Sequence, residues 1–393
     1  MMQLLMTTDP ASGIWTYCME LCTALRSYGV HISLAALTSE INPQQRRQVS
    51  ALSHVTLYES PYHTRWQQSP LDNMEKTGEW LVALERRLNP EIIHLNHLIY
   101  GSLNWRSPVV LVGHSCSLSW WEAVKKRPAP FEQWHRYREI VRHSVRQADR
   151  VVAPSTAMLD SLLLHYGPVE HPSVIFNGRD FPPLLSSPEA KVPFMEPLVM
   201  SAGRVWDEAK NVSTVAKIAR RLPWKVCVAG AQESPEGLRI ELPGVIALGH
   251  LSEEKLGEWL RRASIYVAPA HYEPFGLGIL EAARSGCALV LGDIPSLREI
   301  WGDSAEYVDP DDPADLRRCI QNLIANPSWL RELMERAWRR AQRYSSSRMA
   351  AGYVHLYQSL RQQFSQNQPL RQPAFQLVPR VQASPTTLSG AQK

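Results

Sequence analysis

Two carboxylates, Glu273 and Glu281, stand with seven residues between them in the stretch His271-Tyr272-Glu273-Pro274-Phe275-Gly276-Leu277-Gly278-Ile279-Leu280-Glu281. The apolar run 265–268 precedes them and reads as a buried strand. Residues 277–283 have helical periodicity, which stops at Gly286. The carboxylates therefore bracket a polar loop at a helix N-terminus. Such a terminus carries unpaired N–H groups and partial positive charge, so it attracts anions. Gly276 and Gly278 have no side chain to hold a ligand off the backbone. Phosphate donors beside hydroxyl-binding carboxylates suit a nucleotide sugar. Read alone, Glu273 is a surface carboxylate and Glu281 an acid favoured by the helix dipole; the combination is what suggests chemistry.

Cations are offered by a second loop. Gly203-Arg204 and, a little further on, Lys210-Asn211 follow the β-rich run 198–202. A guanidinium and an ammonium on one loop can clamp a diphosphate, although solvated surface charge is the default for such a pair. Gly230 ends the run 225–229 at a residue that permits close approach. In open parallel sheets ligands bind beyond the carboxyl ends of strands, which is where all three loops lie.

The elements that must hold these loops alternate. Short β-rich runs at 3–7, 30–36, 55–58, 92–95, 109–112, 150–153 and 173–176 are interleaved with amphipathic stretches at 14–28, 71–88, 131–147 and 155–165. After a Pro- and Ser-rich interval the alternation restarts, with strands at 198–202, 225–229, 245–248, 265–268, 288–291 and 305–308 and helices between and after them. This is the pattern of parallel β-α-β units with right-handed crossovers. It predicts an α/β protein of two doubly wound parallel-sheet domains facing a cleft. Domain 1 is expected over residues 1–180, a linker over 181–197, domain 2 over 198–344 and a helix crossing back to domain 1 over 345–364. The stretch 365–393, rich in Gln, Pro and Ser, is expected to be a disordered tail.

At 393 residues the chain is long enough for such a pair of domains. The formal charge of +4 is too small to imply nucleic acid as a partner. No apolar run reaches the ~18 residues of a membrane span. The N-terminus reads as a first strand rather than a signal peptide. The six cysteines are scattered, as expected of buried thiols in a reducing compartment, so a cytoplasmic place is expected, with the inner face of the membrane left open. The stretch 120–146 mixes Trp120, Trp121 and Trp134 with many Arg and Lys residues; it reads either as a helix covering the sheet or as a peripheral membrane contact.

Taken together, these features resemble the retaining GT-B glycosyltransferases of family 4, glycosyl transferases group 1. The matching residues are Gly203-Arg204 with Lys210-Asn211, Glu273-Pro274-Phe275-Gly276-Leu277 with Glu281, then Ala282, Gly286 and Glu299. Asn177-Gly178 and Ala153-Pro154-Ser155 match in the first half, and the resemblance covers about residues 1–364.

It implies two Rossmann-like domains and transfer of a sugar from a nucleoside diphosphate donor, UDP-, GDP- or ADP-linked, to an acceptor hydroxyl. Arg204 and Lys210 would neutralise the diphosphate, Glu281 would bind the ribose hydroxyls and Glu273 the donor sugar. The N–H groups of Phe275, Gly276 and Leu277 would meet the sugar or distal phosphate. In domain 1, the loop Asp9-Pro10-Ala11-Ser12-Gly13 stands where the family has a glycine-rich loop, with Gly13 as its one glycine. His114 stands as the cleft histidine. No cofactor or metal is required on this reading, and the acceptor is a glycan, a lipid-linked molecule or a small molecule.

Three other signals are set aside. Asp309-Pro310-Asp311 spells a metal motif of another glycosyltransferase fold but suits a loop; His94 and His97 lack a third ligand; no GxGxxG follows the first strand, against a nicotinamide enzyme. A nucleotide-sugar epimerase and a non-catalytic nucleotide-sugar-binding protein are the rival functions.

Overall fold

In the computed structural model the alternating pattern produces two parallel sheets. The structure describes residues 2–37, 41–62, 73–180, 191, 195–234, 237 and 239–366. Seven strands build the first sheet: β1 (Met2–Thr8), β2 (Val30–Ala36), β3 (Val55–Glu59), β4 (Ile92–Leu95), β5 (Val109–Val112), β6 (Arg150–Ala153) and β7 (Pro172–Val174). Their spatial order is β3-β2-β1-β4-β5-β6-β7. The helices of this half are α1 (Gly13–Leu25), α2 (Pro43–Ser50), α3 (Met74–Leu88), α4 (Ser117–Lys125), α5 (Phe131–Gln147) and α6 (Thr156–Tyr166).

The second sheet has six strands, β8 (Glu196–Ala202), β9 (Lys225–Ala229), β10 (Ile246–Gly249), β11 (Ala263–Ala268), β12 (Ala288–Gly292) and β13 (Glu306–Val308), in the order β10-β9-β8-β11-β12-β13. Its helices are α7 (Val212–Ala219), α8 (Glu253–Arg262), α9 (Leu277–Arg284), α10 (Pro295–Trp301), α11 (Pro313–Ala325) and α12 (Pro327–Ala341). A last helix, α13 (Ser346–Gln366), follows. The central strands are apolar because both faces are covered: β5, β11 and β12 are buried along most or all of their length, whereas the edge strands β3 and β10 are not.

Both sheets grow outward from their first strand, so each has one place where the order reverses. In the first sheet it lies between β1 and β4, in the second between β8 and β11. A crevice opens at such a point beyond the carboxyl ends of the strands. The loops that leave β8 and β11 are those carrying Arg204, Lys210 and Glu273. Those that leave β1 and β4 carry residues 9–12 and Asn96.

The helix α13 packs on α1, and its Met349, Tyr353, Tyr357 and Leu360 are buried in the same core cluster as Leu4, Met6, Cys18 and Leu21. It runs to Gln366, two residues into the stretch expected as tail; residues 367–393 lie outside the described residues, as do 181–190 and 192–194 of the expected linker. The strand β8 starts at Glu196, two residues inside that linker. Lys191 is fully buried, and its Nζ donates to the carbonyls of Leu260 at 3.0 Å and Ser285 at 2.9 Å, at the C-terminal ends of α8 and α9 where a cation suits the dipole.

Two helices were not visible as periodic segments. The sequence of α2, Pro-Gln-Gln-Arg-Arg-Gln-Val-Ser, buries only Val49 and is held by an Asn42–Gln45 capping box. The aromatic and basic stretch 120–146 is two helices, because Lys126 turns to φ 54° and Pro128 and Pro130 follow. All six cysteines are free thiols, five of them buried. No described helix is long and apolar enough to cross a membrane.

Candidate active site

The loop after β11 is held at each end. Gly276, at φ 88°, is the N-cap of α9, and the first intrahelical bond is made by Ile279 N–H, so the amides of Phe275, Gly276 and Leu277 precede it. A Cβ on Gly276 would lie 2.8 Å from Ile279 Cδ1. The Phe275 ring is buried and stands edge-on to Tyr344 at 5.5 Å, which directs its backbone rather than its side chain to the cleft. Ser296 Oγ donates to Glu273 O at 2.6 Å.

Across the gap, domain 1 grips the same loop. Ser155 Oγ donates to Pro274 O at 2.7 Å, and the Tyr272 hydroxyl accepts from Cys116 N at 2.9 Å. Glu299, a residue the sequence matched without a role, takes the amides of Thr156 at 2.7 Å and Ala157 at 2.9 Å, capping α6 from the other domain.

Lys210 and Glu273 are brought together: Lys210 Nζ forms a short ion pair with Glu273 Oε2. Arg204 is held by Asp207, with Nη2 to Oδ2 at 2.6 Å, and lies 5.4 Å from the Trp206 ring centre. Asp207 is the residue that sequence reasoning missed here. Its other oxygen caps the turn Glu208–Lys210 through Ala209 N at 3.1 Å and meets Trp120 Nε1, from α4, at 3.5 Å. Burial would raise its carboxyl, but the Arg204 guanidinium and Lys210 outweigh that and hold it below the usual aspartate range. One carboxylate thus sets the rotamer of the arginine, the turn that carries the lysine and a contact to α4 of the first domain. The D-x-x-K spacing at a turn was the signal available.

Glycines at the carboxyl ends of β8 and β9 pack on each other. A Cβ on Gly230, φ 139°, would stand 1.7 Å from Gly203 O, so the close approach this glycine permits is first of all that of the neighbouring strand's loop. Gly203 and Gly230 line a cavity of about 560 Å³ with Ala11, Arg204, Trp206, His250 and Leu251. The cavity spans both domains through Ala11, and Gly203, Ala202, Ala229 and Gly230 give it a floor of small residues. Gly13 opens α1 with no heavy atom within 4 Å of where its Cβ would be.

Glu281 is buried and pairs with Arg179, Oε1 to Nε at 3.0 Å. Burial raises its carboxyl, opposed by that guanidinium. Arg179, two residues beyond Asn177, also meets Glu253 at 3.0 Å and Glu20, on α1, at 3.8 Å. A single buried arginine therefore joins three carboxylates from both domains at the rim of the cleft; nothing in its sequence surroundings marked it.

Burial pushes the Glu20 carboxyl from 4.5 up to about 7, with Arg179 acting against the rise. A raised acid is a penalty at high pH. Below 4.5 both folded and unfolded chains are protonated; between there and 7 only the unfolded chain ionises, and above 7 the cost is complete. Glu20→Gln is therefore expected to match the parent in stability near pH 4.5 and exceed it by up to about 3 kcal/mol at pH 8, as read by chemical denaturation at the two pH values.

His114, after β5, is half-buried, with Nε2 2.7 Å from Asn96 Oδ1 and its ring edge-on to Tyr17 at 4.3 Å. His94 and His97 are fully buried; His94 bonds Tyr357 and Asn96, and His97 lies 3.4 Å from Thr7 Oγ1. Among the described residues no group of three or more His, Cys, Asp or Glu could hold a metal ion. Asp311 pairs with Lys126 at 3.0 Å and lies 3.6 Å from His271, and Lys125 pairs with Glu208 at 2.7 Å. Part of the basic stretch is thus a contact between the two domains.

Residues 11–181 match the model of the family described as Glycosyltransferase Family 4, and residues 196–326 match that of Glycosyl transferases group 1. Alpha-maltose-1-phosphate synthase of Mycolicibacterium smegmatis is 28% identical over 274 residues, which cover 61% of this chain and 68% of that protein. Glycogen synthase of Mycobacterium tuberculosis is 28% identical over 198 residues, 47% of each, so the match spans about half the length of that relative. Among solved structures, a UDP-glucose complex of the Anabaena protein HepE superposes with a TM-score of 0.72 at 15% identity, covering 91% of this chain and 100% of that one. Two family models spanning both halves of the chain, on two Rossmann-like sheets whose switch points face one cleft, place it plainly: the chain belongs to the family 4, group 1 glycosyltransferases and is a glycosyltransferase of GT-B architecture.

Proposed function

We propose that the protein moves a sugar from a nucleoside diphosphate sugar to an acceptor hydroxyl, retaining the anomeric configuration. The observation that carries this reading is the convergence of Arg204, Lys210 and the open N-terminus of α9 beyond the switch point of the second sheet. Charge develops on the leaving diphosphate in the transition state, and preorganised cations and N–H groups stabilise it most there. The base would lie in the cavity floored by Gly203, Ala229 and Gly230, and the ribose hydroxyls would meet Glu281. The UDP-glucose complex of HepE supports a nucleotide-sugar donor for the fold.

Glu273 faces the donor sugar from its pair with Lys210, and His114 meets the sugar or the incoming hydroxyl. On the resemblance to the retaining family 4 enzymes we favour front-face substitution, in which the departing phosphate takes the acceptor proton. The grip of Ser155 and Glu299 across the gap would exclude water and protect the donor from hydrolysis.

The test is a panel of UDP-, GDP- and ADP-sugars against glycan, lipid-linked and small-molecule acceptors, reading nucleoside diphosphate release and the anomer of the product by NMR. Transfer with retention is expected. An inverted product would sink the stereochemical claim. Donor consumption with no acceptor glycosylated would favour an epimerase, and binding without turnover a non-catalytic protein.

A further inference from the structure

His114 ends a buried chain of hydrogen bonds in which its own proton can be placed. Asn96 Nδ2 donates to Thr7 O at 2.6 Å and lies 3.4 Å from Cys18 Sγ, and this fixes the orientation of the amide. Its Oδ1 then faces both histidines. An amide oxygen only accepts, so His114 Nε2 at 2.7 Å carries hydrogen; His94 Nε2 lies 3.1 Å from the same oxygen and 3.3 Å from the Tyr17 hydroxyl. His94 Nδ1 lies 2.6 Å from the Tyr357 hydroxyl. Burial lowers both imidazoles to about 3, for His114 with His94 and His97 acting the same way, so near neutral pH each has one N–H and one lone pair. His114 therefore keeps its lone pair on Nδ1, which has no partner among the described residues, on a ring that is half-buried where His94 is fully buried.

We propose that Asn96 is a positioning residue that locks His114 as a hydrogen-bond acceptor toward the cleft, and that the group it receives is a hydroxyl of the sugar or acceptor rather than an anionic oxygen. The proposal rests on the reading of the cleft as a sugar-transfer site. A lone pair repels phosphate or carboxylate and takes a hydroxyl proton, so His114 sorts hydroxyls to one side of the cleft while Arg204 and Lys210 draw phosphate to the other. The network continues from Asn96 through His94 to the Tyr357 hydroxyl of α13. The other ionisable groups around the network are Asp9 after β1, Tyr17 and Cys18 on α1, His97 after β4 and Tyr353 on α13.

Two measurements test it on the full chain. Long-range 1H–15N correlation spectra of the histidine-labelled protein, with His114 assigned by its loss in His114→Gln, should show a bare Nδ1 and a protonated Nε2 from pH 8 to 5.5. A protonated Nδ1 would overturn the proposal. Asn96→Asp places a carboxylate beside Nε2–H and favours imidazolium. The ratio of its kcat/KM to the parent's should fall at least ~10-fold between pH 8.5 and pH 6, with nucleoside diphosphate affinity unchanged. A profile parallel to the parent's would overturn the proposal. The tautomer is read without substrate, so a wrong tautomer leaves the transfer reading intact, whereas failure of the parent to release nucleoside diphosphate from any donor sinks that reading alone.

Discussion

Lys210→Ala is expected to lower kcat/KM for sugar transfer by roughly 10²–10³-fold, the loss typical when one preorganised group facing developing charge is removed. The ammonium sits on a turn that Asp207 caps and pairs with Glu273, whose side chain is only 14% exposed. Both partners therefore arrive oriented, and little reorganisation is left to the reaction. Lys210→Arg keeps the charge but not the point geometry and should recover only part of the rate. Steady-state kinetics on variants of parental Tm decide it: a fall of less than threefold for the alanine variant would remove Lys210 from the chemistry. Lys210→Ala with Glu273→Gln should be less than additive, since each single change also strands the other's charge.

Gly230→Ala should be the most damaging substitution for the fold. The new Cβ would fall 1.7 Å from Gly203 O, which is backbone and cannot swing aside, at a φ of 139° that side chains rarely adopt. The two loops must separate, at a cost of about 3 kcal/mol or more. The same two glycines line the cavity proposed for the base, so on that reading nucleotide binding should be lost together with stability. Urea denaturation of the two proteins measures the first effect. A midpoint unchanged from the parent would mean that the β8 and β9 loops do not pack as described.

These two sites differ in how far the sequence announced them. Strands such as Val109–Val112 and helices such as Phe131–Gln147 were legible to the residue, because apolar periodicity is local. Lys210, Glu273 and Glu281 were legible from residue type and spacing at strand ends.

What joins them was not. Glu273 and Lys210 are 63 positions apart and form one ion pair; Glu281 is neutralised by Arg179 from the far side of the interdomain connection. Such pairs depend on where two sheets come to rest, which no local pattern records. Asn96 was hidden for a related reason. A buried amide looks like any loop asparagine until Thr7, from a strand 89 positions earlier, orients it. Glu299 was noticed by likeness alone, and only its span across the gap to the amides of α6 gives it a physical role. In α2 the failure was of another kind: a helix that buries one residue has no periodicity to read.

The donor site in the second domain is the claim on which the rest depends, and calorimetric titration of UDP, GDP and ADP into the parent, Glu281→Ala and Arg204→Ala tests it most directly. One nucleotide should bind the parent, and each variant should lose on the order of 1.5–3 kcal/mol, the worth of a charge-assisted hydrogen bond. Parental affinity in both folded variants would contradict the account.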